Sequence, residues 1–282
     1  MYTAVIVEPR FHPSLPIVLN NFNSNLDNNW NFLIFHGSIN KQFIENIFNT
    51  IQTTKKCTYI NLNKNNLTIK EYNKLLYSYF FYLHIETEHF LVFQTDTLLS
   101  NTNSKNIYKF LEYDYVGAPW RHRNKQIGNG GLSLRKKSKM LELLNSNFSF
   151  KVLNINEDLF FSGSRLNENN IKIHKPTPEL AKQFSVESVF STNSVGLHKP
   201  WIYFNNKQLN TLQTTFPELN NLITTIKTYK LNKNKIKINK NKINKNKINK
   251  NKLNTNKLNT NKFKLNIMKT NISKIKLNIM KN

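Results

Sequence analysis

A single cysteine, Cys57, stands in a chain of 282 residues. That excludes an intrachain disulfide and any cysteine-built zinc site, and it favours a reducing compartment. Glycine is scarce as well, with seven in the whole chain, so any close approach to the backbone has to be sought at very few positions. No apolar run reaches the roughly 18–20 residues that a membrane span needs. Acid is also short: 16 Asp and Glu face 41 Lys and Arg, a formal net charge of +25.

That charge is unevenly placed. Residues 231–282 hold 16 lysines and no acid, and setting them aside leaves +9 on the first 230 residues. The basic balance is mostly a tail property and says little about nucleic-acid binding by the rest. Within the tail, apolar residues recur every five positions, at Ile238, Ile243, Ile248, Leu253, Leu258 and Phe263. Five residues turn a helix by about 500°, so successive side chains drift by about 140° and build no stripe. On a strand, an odd period alternates faces. Dense like charge without a face to bury predicts a disordered low-complexity tail, with non-specific polyanion binding as its physical capacity.

Upstream, strand and helix patterns alternate. Thr3-Ala4-Val5-Ile6-Val7 is a β-branched apolar run, and Leu15, Leu19, Phe22 and Leu26 follow at helical spacing. Trp30 to Phe35 and Thr58 to Leu62 read as further strands, with Phe43, Ile44, Ile47 and Phe48 on a short helix between them. Tyr72, Leu75, Leu76, Tyr79, Phe80 and Leu83 predict one longer amphipathic helix, and Phe90 to Gln94 returns to strand. This alternation is the signature of an α/β fold with a mostly parallel sheet, in which ligands bind beyond the carboxyl ends of the strands. Tyr113 to Gly117 is the clearest strand thereafter, and Leu209, Leu212, Phe216 and Leu219 suggest a helical extension over 206–230, which Pro217 opposes.

Four stretches carry chemistry. Gln94-Thr95-Asp96 ends a buried strand, where a carboxylate either caps a loop or holds a divalent cation against a leaving diphosphate. Gly128-Asn129-Gly130-Gly131-Leu132-Ser133-Leu134-Arg135 concentrates three of the seven glycines, for a tight turn or for close approach of a ligand or chain segment. Asn156-Glu157-Asp158 opens a helix, where acids serve as caps or as a general base. Finally, Val195 to Trp201 contains His198, structural or a neutral imidazole ligand.

In that order these stretches resemble a GT-A fold glycosyltransferase, and more closely a little-characterised glycosyltransferase-like family known as a domain of unknown function. The resemblance covers residues 1–204 and rests on Trp30 to Gly37, Tyr72 to Leu76, Phe93 to Asp96, Tyr113 to Trp120, Gly128 to Arg135, Glu157-Asp158, and Phe184-Ser185-Val186-Glu187 through His198. It implies that Asp96 and His198 hold a divalent cation, Mn²⁺ or Mg²⁺, and that Asp158 is the catalytic base of inverting members. It implies too that Gly130 and Gly131 border the donor sugar or acceptor, and that Glu8, Arg10 and Asn73 lie where the nucleotide is held. Gln94 departs from the family pattern, since an amide replaces the first acid of Asp-x-Asp.

The expectation is a Rossmann-like GT-A domain over 1–205, a short helical extension over 206–230 and the tail over 231–282. Its function would be transfer of a sugar from a nucleoside diphosphate donor to a hydroxyl of a glycan, protein or lipid. Retaining stereochemistry and a non-catalytic binding protein tethered by the basic tail are the alternatives. The expected location is the cytoplasm, or a viral factory or virion if the Asn-, Lys- and Ile-rich composition reflects an AT-rich viral genome, and not the secretory route.

Overall fold

The computed structural model describes residues 1–123, 126–147, 154–163, 171–236 and 238. The expectations for residues 239–282 lie outside these. Proximity divides the chain into Met1–Ile226 and Lys227–Asn282. In the second unit residues 227–236 are helical, so the stretch expected to be disordered from Leu231 starts as helix over 231–236.

Four apolar runs form parallel strands, β1 (Tyr2–Glu8), β2 (Trp30–His36), β3 (Cys57–Asn61) and β4 (His89–Phe93). Next in the chain are β5 (Thr97–Leu99), β6 (Tyr115–Gly117), β7 (Leu132–Lys136), β8 (Ser185–Val186) and β9 (Gly196–His198). The main sheet has the order β3-β2-β1-β4-β7-β6, with β7 antiparallel to both neighbours. A second, three-stranded sheet has the order β5-β9-β8.

Successive side chains on a strand point to opposite faces, and both faces of the main sheet are covered. Ala4 and Ile6 join Val18, Leu19 and Phe22 of helix α1 (Leu15–Asn25) and Ile44 and Phe48 of α2 (Lys41–Thr50) in one buried cluster. Val5 and Val92 pack on the other face with Leu76 of α3 (Ile69–Leu76), Phe81 and Tyr82 of α4 (Tyr79–Leu83) and Met140 of α5 (Lys137–Asn147). A sheet sandwiched in this way leaves only its strand ends open to ligands. No helix among the described residues is long and apolar enough to cross a membrane.

Three further expectations are revised. The single helix through Tyr72 and Leu83 is two helices, broken at Tyr77-Ser78. The Ser78 hydroxyl donates to the Leu75 carbonyl at 2.6 Å and accepts the Phe81 N–H at 3.3 Å, so it ends one helix and caps the next. The break resets the helical register. Phe81 and Tyr82 are buried, while Tyr79, Phe80 and Leu83 are 59%, 46% and 77% exposed. Tyr113 and Asp114 stay outside β6, because Asp114 pairs with His174 through its backbone N–H and its carboxylate, each at 2.8 Å. After α6 (Glu157–Phe161) and α7 (Pro178–Phe184), the extension expected over 206–230 is not one helix: α8 (Asn206–Gln213) stops before Pro217, and a separate helix starts at residue 219 and buries Leu219, Leu222 and Ile226.

Candidate functional site

Beyond the carboxyl ends of β1 and β4 lies a cleft of about 430 Å³. Its lining includes Glu8, Arg10, Asn73, Gln94, Asp96, Gly130, Gly131, Asp158 and His198. The structure thus gathers every residue singled out from the sequence into one cavity.

Asp96 and His198 are brought together by the small sheet. In the antiparallel β5–β9 pair Thr97 lies opposite His198, and the Lys199 N–H donates to the Asp96 carbonyl at 2.9 Å. Behind them, Ser14 Oγ donates to the Thr95 carbonyl at 2.6 Å and pins the loop after β4 to the start of α1. His198 Nε2 is 3.4 Å from Asp96 Oδ1, and Nδ1 is 3.2 Å from Glu187 Oε1. Neither contact has hydrogen-bond geometry. Burial alone would raise the Asp96 carboxyl, but the His198 and Lys199 charges beside it outweigh this and hold it low, at about 2. Burial likewise opposes charge on His198, yet the carboxylates of Asp96 and Glu187 raise its pKa above the ordinary value.

This donor set fits a hard divalent ion. One carboxylate oxygen and one imidazole nitrogen of the cleft lining face each other, and a second carboxylate stands behind the far ring nitrogen, as is usual for a metal-bound histidine. Among the described residues no group of three His, Cys, Asp or Glu side chains stands ready to hold an ion.

Space, not φ, explains the glycines. A Cβ on Gly131 would stand 2.3 Å from the His198 ring, and one on Gly130 would stand 2.6 Å from Glu157 Oε1 and 2.8 Å from Asp158 Cβ. Neither has a positive φ. The chain that leads into β7, in register Phe93 with Leu132, thus sets Gly131 against His198 and Gly130 against the start of α6.

Asp158 is aimed by its neighbours. Glu157 turns inward to the fully buried Arg135 in a bidentate pair, Nη1–Oε2 at 2.7 Å and Nη2–Oε1 at 3.1 Å. The guanidinium lies over the Tyr115 ring at 5.1 Å. Asn73 accepts the Glu157 N–H at 3.3 Å, and Tyr77 donates to the Ile155 carbonyl at 3.0 Å. With Glu157 spent on structure, Asp158 is left at the cleft wall. Burial first, and the Glu157 charge second, raise its carboxyl to about 6 against the opposing pull of Arg135.

Other predicted residues are partly committed. Glu8 forms a bidentate pair with Arg10, Nε–Oε1 at 2.7 Å and Nη2–Oε2 at 2.6 Å. Asn73 spends its amide on the α6 start, and the Gln94 amide donates to the Tyr72 hydroxyl at 3.3 Å. Tyr72, Asn129, Glu187 and Lys199 are the residues that sequence reasoning did not single out for the site. Lys199 lines the cleft in left-handed backbone, φ 37° and ψ 48°, a strained state for a residue with a side chain. Its position directly after His198, before Pro200, was the available signal.

Among solved structures, the chain is similar to the glycosyltransferase GlyE of Streptococcus pneumoniae TIGR4, at 9% identity over 73% of this chain and 55% of that one, with a TM-score of 0.50. It is also similar to the mannosyltransferase PcManGT of Pyrobaculum calidifontis, solved with GDP-Man and Mn²⁺, at 14% identity over 62% and 54% of the two chains and a TM-score of 0.44. HddC from Yersinia pseudotuberculosis matches at 12% identity over 62% and 88%, with a TM-score of 0.39. At such identities the likeness shows the fold alone, which is α/β and GT-A glycosyltransferase-like. This chain spans about half of GlyE. No curated protein matches the sequence. The family described as "Protein of unknown function (DUF5672)" matches residues 56–198, half of the chain, and it is to this family that the chain belongs.

Proposed function

We propose that the protein is a metal-dependent, inverting glycosyltransferase, with residues 1–205 as its catalytic domain, acting on a nucleoside diphosphate sugar and a hydroxyl acceptor. The observation that carries this reading is that Asp96, His198 and Asp158 line the same cleft. The fold shared with the glycosyltransferase GlyE supports it.

Mn²⁺ or Mg²⁺ held by Asp96 and His198 would supply Lewis-acid neutralisation of the departing diphosphate. Lys199, in the same cleft, adds a positive charge near those oxygens. Asp158, as carboxylate, takes the proton of the acceptor hydroxyl while that oxygen bonds to the anomeric carbon. The carbon–oxygen bond to the diphosphate breaks, and the diphosphate leaves with the electron pair. Gln94, held by Tyr72, offers its amide to a hydroxyl of ribose or sugar where the family pattern has an acid. Gly130 and Gly131 leave the sugar's approach free of side chains.

A panel of nucleotide sugars tests this by thermal stabilisation and by nucleotide release, each with and without Mn²⁺. At 100-fold over its dissociation constant a donor adds about 2.7 kcal/mol of stability. One donor that stabilises the protein only with Mn²⁺ supports the reading. No stabilisation by any nucleoside diphosphate or its sugar refutes it.

A further inference from the structure

We propose that Glu187 is a positioning residue for the cation site, selecting which nitrogen of His198 is offered to the ion, and that Asn129 holds Glu187 in place. That role presupposes the metal-dependent reading above and extends it to side chains that never touch the ion.

The small sheet is built to deliver these groups. Asp96 precedes β5, whose Thr97 pairs with His198 at the end of β9. On the other side of β9 the parallel register sets Val186 beside Leu197, so the next residue, Glu187, falls beside His198. Three short strands thus place two carboxylates on opposite edges of one imidazole, 3.4 Å from Nε2 and 3.2 Å from Nδ1. The ring is shut in further by Gly131, which has no side chain to displace it. Asn129 closes the arrangement: its amide donates to Glu187 Oε1 at 2.8 Å, and its carbonyl accepts the Gly131 N–H at 3.1 Å.

A neutral imidazole keeps one N–H and offers one lone pair. A carboxylate at Nδ1 favours the tautomer with the proton there, which turns the Nε2 lone pair toward Asp96 and the cleft and makes it more basic. Glu187 is almost fully buried, and its Oε2 has no hydrogen-bond partner among the described residues. A buried carboxylate with an unsatisfied oxygen is a poor choice for stability alone. A charge delivered to His198 accounts for it.

Mn²⁺ titrations of the full chain, followed by calorimetry and by loss of the free-ion electron paramagnetic resonance signal, test this without a substrate. Mn²⁺ is used alone and together with UDP or GDP. Glu187→Gln keeps the size of the side chain and should weaken Mn²⁺ binding by about 10–100-fold while the metal-free melting temperature is kept or rises. Asn129→Ser should weaken binding several-fold, and it decides the matter if Glu187→Gln does not fold. Wild-type Mn²⁺ affinity in either folded variant overturns the positioning role and leaves the metal-dependent reading standing. A wild-type protein that binds Mn²⁺ under neither condition overturns both.

Discussion

Asp158→Asn should make the protein more stable and nearly inactive, and the two effects have one cause. Burial, with the Glu157 charge beside it, raises the Asp158 carboxyl from 3.8 to about 6 in the folded protein. A folded state that holds a proton more tightly than the unfolded chain is favoured at low pH, fully below about 4. That advantage is lost as pH rises through about 6. Above that point the ionised carboxylate works against folding. Some two pKa units at about 1.4 kcal/mol each bound the penalty near 3 kcal/mol, and partial exposure reduces it, so roughly 1–3 kcal/mol is expected. Asparagine keeps an oxygen to accept the Leu159 N–H, now at 2.8 Å, and carries no charge.

At pH 8 the variant should therefore melt roughly 2–12 °C above wild type, given about 2–4 °C per kcal/mol at this size. At pH 4 the difference should vanish. Turnover should fall by about 10²–10⁴-fold with donor affinity retained, and wild-type turnover should decline below about pH 6 as the base is protonated. Melting curves of both proteins from pH 4 to 8, with turnover at saturating donor, decide the matter. Equal stabilisation at pH 4 and pH 8 would mean that the amide makes new contacts and relieves no charge. No stabilisation at pH 8, or a retained rate, would refute the reasoning.

Gly131→Ala sets a methyl group 2.3 Å from a ring held between two carboxylates; it should cost about 1–3 kcal/mol and weaken Mn²⁺ binding, and an unchanged melting temperature with unchanged Mn²⁺ titration would contradict this. Arg135→Met leaves Glu157 buried without its partner and should destabilise by about 3–5 kcal/mol in denaturant unfolding, with much of the loss recovered on adding Glu157→Leu; a single variant within 1 kcal/mol of wild type would show that Glu157 relaxes freely. Deletion of residues 231–282 should leave the melting temperature unchanged and abolish a polyanion binding that weakens steeply with salt; a collapsed melting temperature would show that the tail packs.

The main sheet was legible because its four parallel strands are runs of five to seven residues, of which β1, β2 and β4 are mostly buried and read as nearly continuous apolar segments, while the edge strand β3 is half-buried. The small sheet was not. Its strands hold two or three residues each, too few for any period, and the β5–β9 pairing joins segments about 100 residues apart. The same scale explains the mistaken long helix, since a two-residue break by Ser78 leaves an apolar spacing that still looks helical. Asp96, Asp158 and His198 could be picked out by residue type and order. Glu187 could be quoted as part of a pattern but given no role, because only the β8–β9 register shows that it stands beside His198. Glu157 was equally ambiguous beside Asp158 until its pairing with Arg135 separated the acid bound to a buried cation from the one without such a partner.

The long reach of the β5–β9 pair also has a meaning in time. At roughly 5–20 residues per second of synthesis, Asp96 emerges some 5–20 s before His198. By then β1 to β4 are complete, but β4 is an edge strand until β7 is made some 40 residues later, with Leu91, Val92 and Phe93 offering unpaired backbone. An exposed apolar edge of that kind invites pairing with another chain. The growing chain therefore carries its sticky edge well before it owns a complete site, and slow synthesis across residues 94–131 should raise the need for chaperones more than slow synthesis elsewhere.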